Sequence, residues 1–126
     1  MIFTYLAMLF CHVVDDFCLQ QPFLAKGKQR SWWAENTPDR KYCFDWFPCL
    51  LAHSLSWAFA VMLPIAWKLG FEVDGKFVLI FLLNAAVHGV IDHLKANLRL
   101  ITLVTDQLLH YMQISITFML LKDGLV

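Results

Sequence analysis

The chain has 126 residues, of which 60% are apolar (Tyr included) and 16% charged, and its formal net charge is zero. A soluble globular protein carries about 45–50% apolar and about 25% charged residues, and a domain this small has too little interior to hide the excess from water. The composition excludes a disordered chain, a secreted disulfide scaffold and an ordinary soluble enzyme; lipid must take the surplus, and the neutral balance leaves no electrostatic footprint for nucleic acid.

A bilayer-crossing helix needs about 20 residues at about 1.5 Å each. Four apolar stretches qualify: residues 1–20, 46–70, 76–96 and 100–122. The expected fold is all-α, an integral-membrane four-helix bundle forming a single transmembrane domain over 1–126, with a long amphipathic interfacial loop between the first two helices. The first stretch has no basic leader and contains His12, Asp15 and Asp16, so it reads as a retained span rather than a cleaved signal peptide. The loop 21–45 mixes Lys26, Lys28, Arg30, Arg40 and Lys41 with Phe23, Trp32, Trp33, Tyr42 and Phe44. It reads either as an interfacial segment held by aromatics and anionic lipid or as a lid whose cations grip an anionic substrate. In the second stretch Pro48 suits a first helical turn, whereas Pro64 falls inside and should kink the helix. Gly70, Asp74-Gly75 and Asn97 punctuate the short later links, which make the helices antiparallel neighbours.

Loop charge sets the orientation. Lys26, Lys28, Arg30, Arg40, Lys41, Lys95 and Arg99 lie on one side, against Lys68, Lys76 and Lys122 on the other. The expected location is the bacterial inner (cytoplasmic) membrane, with both termini outside the cytoplasm and the loop 21–45 inside.

The informative residues are ionisable ones within the spans: His12 and Asp16 in the first, His53 in the second, His88 and Asp92 in the third, Asp106 and His110 in the fourth. An Asp at the bilayer centre costs about 2.5–3.5 kcal/mol, so three cost up to roughly 10 kcal/mol, as much as a typical domain's total stability of about 5–15 kcal/mol. His12–Asp16, His88–Asp92 and Asp106–His110 are each four apart, which puts both members on one helical face. At about 1.5 Å per residue, all seven fall in the half of their spans nearest the long loop. Three helices presenting an imidazole and a carboxylate inward, with a fourth adding a His, is how bundles build metal sites.

Seven candidate ligands suit one or two divalent transition metal ions, zinc foremost and manganese or iron as alternatives. The bland reading is a polar network gluing helices, but each such bond is worth only about 0.6–2 kcal/mol, and Asn or Ser would serve at less cost. Asp15, three residues after His12, also has access to the interior. His93 lies on another face and reads as structural or substrate-contacting. Gln107 reads as a substrate hydrogen-bonder or a marker of the polar interface. Cys11, Cys18, Cys43 and Cys49 form no C-x-x-C and read as free thiols.

The blocks His12-x-x-x-Asp16-Phe17-x-Leu19-Gln20, His88-x-x-x-Asp92-x-Leu94-Lys95 and Asp106-Gln107-x-x-His110 resemble the small bacterial and phage membrane proteins grouped as domain of unknown function 3307. The resemblance runs over nearly the whole chain. Asp15 stands where that family more usually has a small residue, and His93 where it has an aromatic. More loosely, the pattern is similar to integral-membrane metal-dependent hydrolases, whose inward His and Asp residues are thought to hold the ion.

Three functions compete. The first is a metal-dependent hydrolase at the cytoplasmic headgroup level, acting on a phosphoester: a phospholipid, a polyprenyl phosphate or a nucleotide. His12, Asp16, His53, His88, Asp92, Asp106 and His110 would be the ligands, Asp15 or Asp106 the general base, and Lys95, Arg99, Arg40, Lys41 and Gln107 the substrate binders. The second is a non-enzymatic phage or bacterial factor that binds a host membrane protein. The third is an ion or proton pathway, for which Thr4, Ser115 and Thr117 offer only a thin ladder into the outer half. A histidine-box di-iron oxygenase would use more His and less Asp. A bundle of four spans is also a candidate for homo-oligomerisation, and no nucleic-acid partner is expected.

Overall fold

The computed structural model describes residues 1–125 and is all-helical over them. Four long helices, α1 (Ile2–Val14), α4 (Trp46–Lys68), α5 (Gly75–Ala96) and α6 (Leu103–Leu121), are joined by two short ones, α2 (Pro22–Gly27) and α3 (Arg30–Asn36). The long helices close a ring: α4 packs on α1 and α5, and α6 packs on α5 and α1. The segments Ile2–Leu19, Arg40–Lys68 and Gly75–Ala96 are long and apolar enough to cross a membrane. Helix α6 is of similar length, but Thr105, Asp106, Gln107, His110 and Gln113 dilute its apolar character.

Large apolar side chains such as Phe3, Phe10, Phe59, Trp67, Val90 and Met112 point outward, as a bilayer environment would favour. The apolar core lies towards one end of the ring. Met8, Trp57, Val61, Ile65 and Ile114 are fully buried there, with Met62 almost so. The other end, where α1 and α5 finish and α4 and α6 begin, holds the ionisable residues.

Local chemistry explains the boundaries. Pro22 opens α2 at a position that needs no N–H. Asp74 Oδ1 accepts the Phe77 amide at 2.8 Å to start α5, and Thr102 Oγ1 accepts the Thr105 amide at 3.2 Å to start α6. Helix α4 ends in two left-handed residues, Gly70 (φ 65°) and Phe71 (φ 63°), and it runs on through Pro64 without a break.

Two departures from the sequence reading bear on the site. The loop 21–45 is largely structured, containing α2, α3 and a 3-10 turn at Arg40–Tyr42. The end of α1 is not regular either: a π-turn spans Asp15–Leu19, with the Gln20 amide donating to the Asp15 carbonyl at 3.0 Å. Such widened turns recur at functional sites, and this one carries Asp15 and Asp16.

Helices α4 and α5 approach closely at Gly89, where an added Cβ would lie 2.9 Å from Ser54 Oγ. Ser54 is buried and donates to the Leu50 carbonyl at 2.8 Å, so it cannot swing away freely. Gly89→Ala is expected to lower stability by about 1–3 kcal/mol, read as a fall in thermal midpoint in detergent. The double variant Ser54→Ala/Gly89→Ala should recover most of it, since apart from the backbone of α5 itself the other atom near that Cβ is Ser54 Cβ, at an ordinary 3.7 Å. An unchanged midpoint in Gly89→Ala would show that the helices part without cost.

Candidate functional site

The site is built on four helices. Helix α1 and its π-turn supply His12, Asp15 and Asp16; α4 supplies His53 and Trp57; α5 supplies His88 and Asp92; α6 supplies Asp106, Gln107 and His110. His12, His88, Asp106 and His110 are 0% exposed, His53 and Asp92 1%, and Asp15 2%. Of the intramembrane ionisable residues singled out above, all but Asp16 are thus buried, and the Asp16 side chain is 10% exposed.

The centre is a pair of imidazoles, with His53 Nε2 3.1 Å from His88 Nε2. Asp92 Oδ2 lies 3.4 Å and Asp16 Oδ1 3.5 Å from the same His53 nitrogen. His110 Nε2 completes the cluster, 3.7 Å from Asp92 Oδ1 and 3.5 Å from Asp106 Oδ1. Two overlapping groups, Asp16–His53–His88 and His88–Asp92–His110, each offer ligand atoms within 4.8 Å of one another. Two donors on one tetrahedral ion at about 2.05 Å would lie roughly 3.3 Å apart, close to these separations. Asp16 Oδ1, Asp106 Oδ1 and His110 Nε2 are buried without a hydrogen-bond partner, which is costly for polar atoms. The residues present thus fit a divalent transition metal in donor type and spacing.

His12 differs from the other imidazoles. Its Nδ1 accepts the Trp57 indole N–H at 2.8 Å. Since indole can only donate, Nδ1 carries no proton, and Nε2–H donates to Gln107 Oε1 at 3.0 Å. Both ring nitrogens are engaged, and His12 belongs to neither ligand group. The orientation passes onward: with its oxygen accepting from His12, Gln107 directs its NH2 to Asp16 Oδ2 (3.3 Å) and Asp106 Oδ2 (3.1 Å).

Asp15 and Asp16 take opposite sides of His53. Asp16 lies at Nε2, whereas Asp15 Oδ2 is 3.7 Å from Nδ1 and Asp15 Oδ1 accepts from Ser56 Oγ at 2.7 Å. Trp57 stacks on His88 (4.3 Å, 22°), and His88 stacks on His110 (4.3 Å, 25°).

Two lysines close the structure over the carboxylates. Lys28 Nζ donates to Asp92 Oδ2 and Lys95 Nζ to Asp106 Oδ2, each at 2.5 Å. Both line a recess of about 120 Å³ with Asp16, Phe17, Gln20, Asp92, Leu103 and Gln107. Of the expected substrate binders, Lys95 and Gln107 are there. Arg40, Lys41 and Arg99 are exposed and do not line it; Lys41 instead pairs with Asp39 at 3.4 Å. The residues that sequence reasoning missed are Lys28, Trp57 and Ser56. His93 lies outside the cluster, stacked on Trp46 (5.2 Å, 28°) and accepting from Asn97 Nδ2 at 3.2 Å. The four cysteines are free.

A second buried polar cluster joins α5 to α6 beyond the site. Asn84 Nδ2 donates to Thr117 Oγ1 at 2.9 Å, and Gln113 Nε2 donates to Asn84 Oδ1 at 2.9 Å. These bonds close on one another, as helix glue does.

No curated protein and no solved structure matches the chain. One family model does, described as a protein of unknown function (DUF3307), and it covers residues 2–124. With the match running almost end to end, and the His/Asp blocks of α1, α5 and α6 all within it, the chain belongs to the DUF3307 family.

Proposed function

We propose that this protein is a four-helix integral protein of the bacterial inner membrane and a metal-dependent hydrolase of phosphoesters at its cytoplasmic face. The observation that carries the reading is the convergence of Asp16, His53, His88, Asp92 and His110 on one buried point, with His53 and His88 nitrogens 3.1 Å apart. The loop-charge bias supports the orientation. Mixed imidazole and carboxylate donors favour zinc, manganese or iron over calcium.

In this reading those five residues would hold one or two ions. Bound there, the metal supplies Lewis acidity, polarising a phosphoryl oxygen and making water a nucleophile at neutral pH. Asp15 Oδ2 lies 3.7 Å from His53 Nδ1, on the side of the ring away from the ligand nitrogen. Its charge there favours the proton on Nδ1 and the lone pair on Nε2, the carboxylate–histidine relation common behind metal ligands. Asp15 is thereby a positioning residue rather than the base. Asp106 is the better base: Oδ2 is fixed by Lys95 and Gln107, while Oδ1 has no partner and can take a proton. His12 acts through Gln107, holding Asp16 and Asp106 in place.

Metal content by mass spectrometry, on protein purified in detergent without chelator, tests this. One or two equivalents of a transition metal are expected in the wild type, lost in His53→Ala and in His110→Ala and retained in Arg40→Ala/Lys41→Ala. Phosphomonoesterase and phosphodiesterase screens of the loaded protein then follow. Substoichiometric metal that neither histidine substitution changes and reconstitution does not restore would sink the reading, leaving the cluster as helix glue or a relay.

A further inference from the structure

Lys28 neutralises Asp92, a carboxylate that the proposed ion would use, and Lys95 neutralises Asp106 beside it. Asp92 Oδ2 lies 2.5 Å from the Lys28 ammonium and 3.4 Å from His53 Nε2, so one oxygen serves the lysine and faces the ligand cluster. Lys95 holds Asp106 Oδ2 at 2.5 Å, while Oδ1 of that carboxylate lies 3.5 Å from His110 Nε2. A divalent ion entering the cluster competes for Asp92 directly and repels both ammoniums.

The backbone around Lys28 is pinned. The Lys28 carbonyl accepts from Asn97 Nδ2 at 3.0 Å, the Arg30 amide donates to Asn97 Oδ1 at 2.7 Å, and the Trp33 indole donates to the Gly27 carbonyl at 2.6 Å. Gly27 itself is held against Cys49, where an added Cβ would meet Sγ at 3.0 Å. These contacts leave the four-carbon stem and the ammonium as the part of Lys28 that the backbone does not hold, and the side chain lines the recess. Lys28 is 6% exposed, so a displaced ammonium there needs a new anion. Lysine suits the exchange, being a point charge on a flexible stem with three rotatable donors.

Resting on the metal reading above, we infer that Lys28 and Lys95 form a two-point clamp for a phosphoryl group that is coupled to metal occupancy. When metal binds, Asp92 exchanges ammonium for metal, Lys28 exchanges carboxylate for phosphoryl oxygens, and Lys95 adds a phosphoryl oxygen to its contact with Asp106. The recess of about 120 Å³ equals a few waters at about 30 Å³ each. That is room for one terminal phosphoryl group, with the rest of the molecule outside. The same chemistry is offered by a soluble phosphomonoester and by a phosphatidic-acid headgroup.

The test is a Mn2+ titration in phosphate-free maltoside micelles, following free Mn2+ by electron paramagnetic resonance against protein-free controls. It is run with no addition, with inorganic phosphate, and with a short-chain phosphatidic acid. Wild type is expected to bind Mn2+ at least about 10-fold more tightly with a phosphoryl probe, within the usual range of coupling between sites. A response to inorganic phosphate supports the clamp and assigns it to soluble phosphoryl groups; a response to phosphatidic acid alone supports it and assigns it to lipid.

In Lys28→Met/Lys95→Met, Mn2+ is expected to bind at least as tightly as in wild type without a probe, and the enhancement should vanish. Should the double variant not fold, Lys95→Met, altered at the recess rim, should lose part of the enhancement. On wild type alone, Mn2+ must tighten phosphate binding by the same factor. Mn2+ binding that is indifferent to both probes, or enhanced equally in the variants, overturns the clamp and leaves the metal reading standing. No Mn2+ binding under any condition overturns both.

Discussion

Asp92→Ala is expected to produce the largest single loss, in metal and in stability together. The Asp92 carboxylate is 1% exposed and is shared by Lys28 (2.5 Å), His53 (3.4 Å), His110 (3.7 Å) and His88 (3.9 Å). Removing it leaves a buried ammonium unpaired, which costs about 3–5 kcal/mol out of a domain stability of about 5–15 kcal/mol. The thermal midpoint in detergent should fall sharply and purified protein should carry no metal. Asp92→Ala/Lys28→Met separates the two effects. Replacing both partners of a buried pair by apolar groups is often neutral for stability, so the midpoint should return towards wild type while the metal stays lost. A single variant that keeps both metal and midpoint would mean that Asp92 neither binds the ion nor balances Lys28.

How much of this was legible depended on periodicity. The apolar runs 46–70 and 76–96 anticipate α4 (Trp46–Lys68) and α5 (Gly75–Ala96) to within two residues, because unbroken apolar length has few other uses. The inward turn of His12, His88, Asp92, Asp106 and His110 followed from four-residue spacing, and their common depth followed from the span limits.

Lys28 was hidden by its setting. It sits in a basic, aromatic segment whose composition reads as interfacial, and only the fold of α2 onto α4, with Asn97 holding the turn after it, returns its side chain to Asp92. A charge count could have hinted at it, since buried carboxylates need cations paired with them. Trp57 carried no signal, being one aromatic in an apolar helix. The separation of Asp15 from Asp16 depends on the π-turn, which no 3.6-residue pattern foretells. Arg40 and Lys41 show the converse: their charge invited a substrate role, but an exposed 3-10 turn keeps them off the recess.

The other large effect is expected at Trp57, where two substitutions part packing from hydrogen bonding. Trp57 is fully buried and stacks on His88 while its indole N–H donates to His12. Trp57→Ala empties a large volume beside the imidazoles and should cost about 3–5 kcal/mol, enough to compromise the bundle itself. Trp57→Phe keeps an aromatic face for His88 and gives up only part of the volume, but it leaves His12 Nδ1 without its donor. The free nitrogen can then take the proton and turn it towards Asp16 Oδ2, 3.5 Å away. His12 Nε2 becomes an acceptor facing the Gln107 oxygen, so the amide must flip and cease donating to Asp16 and Asp106. Losing such orienting contacts typically costs about 10–100-fold in metal affinity. Trp57→Phe should therefore stay folded, bind metal that much more weakly, and show the His12 tautomer change in the nitrogen chemical shifts of histidine-labelled protein. Wild-type affinity together with a changed tautomer would show that the His12–Gln107 chain does not position the ligands, and that Trp57 serves the core alone.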